Sequence, residues 1–157
     1  MWRIEYDPDS RLLSLCLTEH VTPSDMRDLA RAHARALEAT GLEPFRVLVD
    51  LRGLTLLDGT AADVLADMKR VAASLEGYLG RAVLVDGPTV AMQQRNTTLE
   101  DGGDDRELVT LNPMEAQRFV DDLFAPWTDG PDEPASPQGS EPSPSSRGSG
   151  GWGAGRS

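Results

Sequence analysis

Along the first half of the chain, hydrophobic positions change period several times, and each change marks an element. Trp2-Arg3-Ile4-Glu5-Tyr6 alternates apolar and polar, the signature of a half-buried strand. Asp7-Pro8-Asp9-Ser10 is turn chemistry, and Leu12 to Leu17 gives a second strand, so the two predict a hairpin. Thr22-Pro23-Ser24-Asp25 then opens a helix: Thr22 can cap, Pro23 suits the first helical position, and Asp25 stands where a capping-box acid belongs. Met26, Leu29, Ala30, His33 and Leu37 follow at helical spacing, and Gly41 supplies a left-handed stop.

From Phe45 the pattern becomes continuous. Phe45 to Leu51 is an apolar run with β-branched residues, as expected of a strand buried on both faces. After a loop from Arg52 to Gly59, a second helix carries Ala61, Val64, Leu65, Met68, Val71, Ala72 and Leu75 on one face, ended by Gly77 or Gly80. Arg81 to Asp86 is another buried strand, and Gly87-Pro88 begins a short helix through about Arg95. The acidic stretch Leu99 to Arg106 predicts a loop, and Leu108 to Leu111 a final strand. Asn112-Pro113-Met114-Glu115 opens a last helix with Met114, Phe119, Val120 and Leu123. The order ββαβαβαβα defines the α/β class: a mostly parallel sheet with crossovers, begun by an antiparallel hairpin.

Composition limits this reading to one domain over residues 1–125. Gly, Pro and Ser supply 20 of the 32 residues from Pro126 to Ser157. With only Trp127 and Trp152 as large apolar groups, that stretch cannot offset its ordering entropy and reads as a disordered tail. The tail holds four acids and two arginines, so most of the net charge of -11 belongs to the domain. Such a field repels a polyanion, and no basic patch offsets it, which argues against nucleic-acid binding. No apolar stretch approaches the roughly 20 residues that span a bilayer, and the first residues lack a signal-peptide pattern. The expectation is a cytoplasmic protein without a membrane association. Nothing in the sequence fixes its oligomeric state, although the opening hairpin leaves a sheet edge.

The segment Val47-Leu48-Val49-Asp50-Leu51-Arg52-Gly53-Leu54-Thr55-Leu56-Leu57-Asp58-Gly59-Thr60-Ala61-Ala62-Asp63-Val64-Leu65, set in this order of elements, resembles the STAS domain family, the fold of sulfate-transporter tails and anti-sigma factor antagonists. The family pattern is an apolar strand ending in Asp-Leu, a short loop, then Asp-Ser-Ser/Thr-Gly opening an apolar helix. Asp58 matches the motif aspartate and Thr60 falls at the position phosphorylated in antagonists. Gly59 replaces the first serine and Ala61 the glycine, departures that resemble the divergent SpoIIAA-like branch. The resemblance implies a non-enzymatic regulatory domain that binds a protein, a kinase-type anti-sigma factor in the family, through Asp50, Arg52, Asp58, Gly59 and Asp63, with Thr60 as the switch. It also allows a small-molecule module of the same fold, for a nucleotide or an apolar ligand.

Each of these residues has a plainer use. Thr60 with Asp63 three residues on is a capping-box arrangement, which alone accounts for a threonine there. A phosphate at the same place would gain from the helix dipole and add a charge of about -1.5 to -2. Asp50, Asp58 and Asp86 end successive parallel strands or loops, where α/β sheets bind ligands, and three carboxylates could hold Mg²⁺. Yet aspartate ends strands for turn reasons too, no glycine-rich phosphate loop is present, and Lys69, the only lysine, falls mid-helix rather than at a site where a buried lysine would serve phosphoryl chemistry. His20 and His33 are the only histidines and form no set with Ser or Cys; His33 belongs to an apolar helix face. Cys16 is alone, so it makes no intramolecular disulfide, and as a strand residue it is expected to be inert. Glu100 to Asp105 lacks the spacing of a calcium loop. No catalytic set, metal site or cofactor follows from the sequence.

Overall fold

The computed structural model describes residues 1–55, 57–100 and 105–129. It begins with the hairpin: β1 (Trp2–Asp7) and β2 (Leu12–Leu17) pair antiparallel, from Trp2 opposite Leu17 to Asp7 opposite Leu12. The turn is closed by the Asp7 carboxylate, which accepts from the Asp9 amide at 3.0 Å and the Ser10 hydroxyl at 2.9 Å. Those bonds, the Ser10 hydroxyl first, hold the Asp7 carboxyl below its ordinary range.

Helix α1 (Pro23–Thr40) starts as its sequence dictates. The Thr22 hydroxyl accepts from the Asp25 amide at 3.1 Å, and the Asp25 carboxylate accepts from the Thr22 amide at 3.0 Å, a complete capping box. Gly41 ends it at φ +64°, a left-handed conformation that favours glycine. Strand β3 (Phe45–Asp50), helix α2 (Gly59–Ala73), strand β4 (Tyr78–Leu84), helix α3 (Pro88–Glu100), strand β5 (Glu107–Thr110) and helix α4 (Pro113–Asp129) complete the order ββαβαβαβα. The sheet runs β1-β2-β3-β4-β5, with every pair after the hairpin parallel. The class is α/β with a mixed sheet.

Alternation along the strands sends side chains to two faces. On one face Leu13, Leu15, Leu17, Val47, Val49, Val83 and Val109 meet Met26, Leu29 and Leu37 of α1, Leu65 and Met68 of α2, and Val90 of α3 in the main core. On the other, Ala82 and Leu84 meet Ala116 and Val120 of α4, with Leu48, Phe119 and Leu123 packed alongside. Helices therefore cover both faces, α4 alone on the second. Burying leucine-sized side chains contributes about 1.5–3 kcal/mol each, so these two clusters are the main stabilising term.

Several boundaries differ from the sequence pattern. Helix α2 is ended by Ser74 in a right-handed conformation, not by Gly77 or Gly80; β4 begins at Tyr78, which places Gly80 inside the strand. Gly77 is required for closeness: a Cβ there would run into the Glu43 carbonyl oxygen. Helix α3 extends past Arg95 to Glu100. Val71 and Met114, placed on apolar stripes by spacing, are 50% and 71% exposed; α2 rotates instead to bury Lys69. Helix α4 continues through Pro126 to Asp129. Residues 101–104 of the acidic loop, and 130–157 of the expected tail, lie outside the described residues.

Candidate functional site

The carboxyl edge of the parallel strands carries the loop between β3 and α2, and its construction follows a three-residue rhythm. Leu51 is 0%, Leu54 5% and Leu57 9% exposed, so every third side chain anchors the loop to the core. Between them Arg52, Gly53 and Thr55 face solvent, followed by Asp58, Gly59 and Thr60. Backbone bonds hold the same segment. The Leu51 amide donates to Leu84 at 2.8 Å, the Leu54 amide to Leu51 at 3.1 Å, and the Glu19 amide to the Gly53 carbonyl at 3.1 Å. Gly53 adopts φ +82°, which favours glycine at that turn.

Of the carboxylates named by the sequence, Asp50, Asp58 and Asp86 are engaged in this construction. Asp50 receives Arg52 as a fork, Nε at 3.0 Å and Nη2 at 2.9 Å, and accepts the Arg52 amide at 3.0 Å. The Arg52 side-chain bond is the main reason the Asp50 carboxyl lies below its ordinary range. Asp86 accepts the Gly53 amide at 2.7 Å. Asp58 caps α2, accepting the Ala61 amide at 2.8 Å. Asp50, Arg52 and Asp86 are thus brought together around Gly53, while Asp58 serves the helix.

This corrects the expectation for Thr60. Asp58 is the N-cap, and Thr60 sits in the first turn, exposed, with Asp63 exposed one turn further on. The physical reason is the burial of Leu57, which sets the chain's entry into the helix so that the residue following it takes the cap position. Among the described residues, no group of three or more His, Cys, Asp or Glu side chains could hold a metal ion.

What the sequence reading missed lies under the sheet. In the parallel register Leu13, Val47, Arg81 and Glu107 stand in one row across β2 to β5. Glu107 accepts from Arg81 Nε at 2.8 Å and pairs with Lys69 Nζ at 3.0 Å, with side-chain exposures of 4%, 3% and 7%. The Thr98 hydroxyl donates to its other oxygen at 2.6 Å, and Lys69 also donates to Gln94 Oε1 at 3.2 Å. Lys69, read from spacing as an ordinary mid-helix residue, is buried. Burial would raise the Glu107 carboxyl, but Lys69, Arg81 and Thr98 outweigh it and hold it low. Beside this cluster His33 is buried and neutral, pushed down to about 4 by desolvation and then by Arg81. A two-residue polar pattern cannot announce such a cluster; only the apolar neighbours of Arg81 hint that it points inward.

Two cavities bear on ligand binding. One, about 20 Å³, lies in the core among Leu13, Val47, Leu65, Met68, His33 and Lys69 and has room for about one water. The other, about 210 Å³, is a groove across β1, β2 and β3 on the face opposite the main core, lined by Arg3, Glu5, Ser14, Cys16, Leu48 and Asp50. Cys16 is half-buried in it as a free thiol.

The fold and this edge define an α/β domain with a loop at the carboxyl end of its parallel strands that is anchored by buried leucines and exposes polar residues to solvent. No protein-family model matches the chain, and no curated protein matches it. No helix among the described residues is long and apolar enough to cross a membrane.

Proposed function

We propose that this chain is a regulatory, non-enzymatic protein-binding domain that docks its partner on the loop Leu51–Asp58 and the first turns of α2. The observation that carries the reading is the loop itself. Three buried leucines and hydrogen bonds to Glu19, Leu84 and Asp86 anchor it, while Arg52, Gly53, Thr55, Gly59 and Thr60 remain exposed. A pre-ordered loop loses little conformational entropy on docking, which favours recognition. Leu111 and Met114, 48% and 71% exposed at the end of β5 and start of α4, add apolar surface on the same edge of the sheet. Asp50, Asp58 and Asp86 each have a structural partner, which supports binding over catalysis.

The resemblance to STAS domains supplies the partner class, a kinase-type anti-sigma factor in a cytoplasmic setting, and names Thr60 as the switch. A phosphate on Thr60 would stand at the start of α2 near Asp58 and Asp63, and its charge of about -2 would repel an acidic docking surface. For the small-molecule alternative, pockets of roughly 300–1,000 Å³ are usual; the open groove of about 210 Å³ is smaller. The test is a paired capture from native lysate with wild type and Thr60→Glu as baits, read by mass spectrometry. An ATPase-type kinase or sigma regulator retained by wild type and lost by Thr60→Glu is the expected result. Identical captures from both baits would remove Thr60 from the role.

A further inference from the structure

Strand β1 is at one end of the sheet, with β2 as its neighbour on one side only. Its register shows which backbone groups are spent. Met1 and Thr18 exchange both bonds, each at 2.9 Å, and form a hydrogen-bonded pair of the antiparallel ladder. Such pairs recur every second residue. Arg3, Glu5 and Asp7 therefore turn N–H and C=O toward β2, whereas Trp2, Ile4 and Tyr6 turn theirs to the open edge. Among the described residues, none outside β2 hydrogen-bonds to the backbone of this strand.

Side chains alternate with the same phase. Trp2, Ile4 and Tyr6 are half-buried against the main core. Arg3 and Glu5 project from the opposite face, 72% and 69% exposed, with Nε and Oε2 4.0 Å apart. Edge strands are ordinarily protected by proline, bulges or charges that repel a like strand. This one has no proline, pairs with β2 without a bulge, and carries both signs of charge, Arg3 against Glu5 and Asp7.

We infer that β1 pairs antiparallel with β1 of a second copy of this chain, in the register centred on Ile4, joining the two sheets across a two-fold axis. In that register Ile4 faces Ile4 of the second copy, and Trp2 faces its Tyr6. Those are the residues whose backbone groups are open, so each pair exchanges two hydrogen bonds. Arg3 then falls opposite Glu5 of the second copy, twice by symmetry. These are non-hydrogen-bonded positions, where side chains lie closest. A slip of two residues in either direction sets Arg3 against Arg3 or Glu5 against Glu5. A slip of one residue opposes spent backbone groups to open ones and turns the apolar side chains to the wrong face. Of these registers the one centred on Ile4 opposes no like charges, whereas the slip that sets Glu5 against Glu5 does so even as it brings Arg3 opposite Asp7.

The test is sedimentation of the full chain without an N-terminal tag, in about 0.15 M salt so that the net charge of -11 on each copy is screened beyond about 8 Å. The protein is taken from about 10 μM to about 1 mM, the range in which small interfaces associate. Wild type is expected to approach twice the monomer mass. Arg3→Glu alone and Glu5→Arg alone each create like-charge pairs and should weaken association roughly tenfold or more. An equimolar mixture of the two variants restores opposite charges at both positions and should regain the doubled mass. A wild type that stays monomeric throughout, single variants that associate unchanged, or a mixture that stays monomeric each overturns the proposal.

Discussion

Replacing Glu107 by Gln keeps the shape of the side chain and removes a charge that both Lys69 and Arg81 contact. The Lys69 ammonium and the Arg81 guanidinium are 3.0 and 2.8 Å away, and all three side chains are at most 7% exposed. Water therefore cannot replace the lost carboxylate. Breaking a buried ion pair from one side costs about 3–5 kcal/mol, because a desolvated charge is left behind. For a domain of this size that is a fall in Tm of roughly 10–20 °C. The comparison is Asp28→Asn, whose partner Arg31 lies 3.1 Å away with both side chains more than half exposed; a surface pair of that kind contributes about 0–1 kcal/mol. Urea unfolding of wild type and both variants, followed by circular dichroism, reads the difference directly. The pH dependence adds a signature. The Glu107 carboxyl is lower in the folded state than its ordinary 4.5, so its stabilisation is present above 4.5 and is lost as pH falls through the folded value. The gap between wild type and Glu107→Gln is accordingly widest near neutrality and narrows in acid. If Glu107→Gln cost no more than Asp28→Asn at pH 7, the cluster would be solvated and the reasoning refuted.

His33 gives a second pH signature of its own. Its folded value of about 4, against 6.5 when unfolded, means the folded state resists protonation. Stability is complete above 6.5 and falls between 6.5 and 4, by roughly 3 kcal/mol in all; His33→Leu should flatten that part of a stability–pH curve, measured by urea titration. At the start of α2, Asp58→Ala should cost about 1 kcal/mol, the usual loss for an N-cap, whereas Thr60→Ala should change the urea midpoint by less than about 0.5 kcal/mol equivalent. Equal losses at the two positions would return the cap to Thr60.

Much of this architecture is a local property of the chain. The period of apolar residues sets strand or helix over a few turns, and Thr22, Pro23, Asp25 and Gly41 close α1 with groups no more than a few bonds away, so they could be read from the sequence. The order ββαβαβαβα then leaves few topologies, because parallel strands need crossovers. The loop from Arg52 to Gly59 was legible as a loop and as a place for polar residues, but its anchoring was not. That comes from Leu84, Glu19, Asp86 and Gln93, which the fold brings to it.

Other features depend on contacts that no local pattern encodes. Asp58 rather than Thr60 caps α2 because Leu57 is buried, and burial depends on what α3 and the sheet place above it. Lys69, Arg81 and Glu107 are separated by 12 and 26 residues, and neither periodicity nor capping links them. They meet because the β4–β5 register sets Arg81 beside Glu107 and the turn of α2 lowers Lys69 onto them. In the same way Arg3 and Glu5 are ordinary strand charges in the sequence. The edge position of β1, and the phase that leaves Trp2, Ile4 and Tyr6 open, exist only once β2 has found its partner. Period and capping are covalently local; register, burial and edge are properties of the assembled sheet, and the tertiary structure alone decides them.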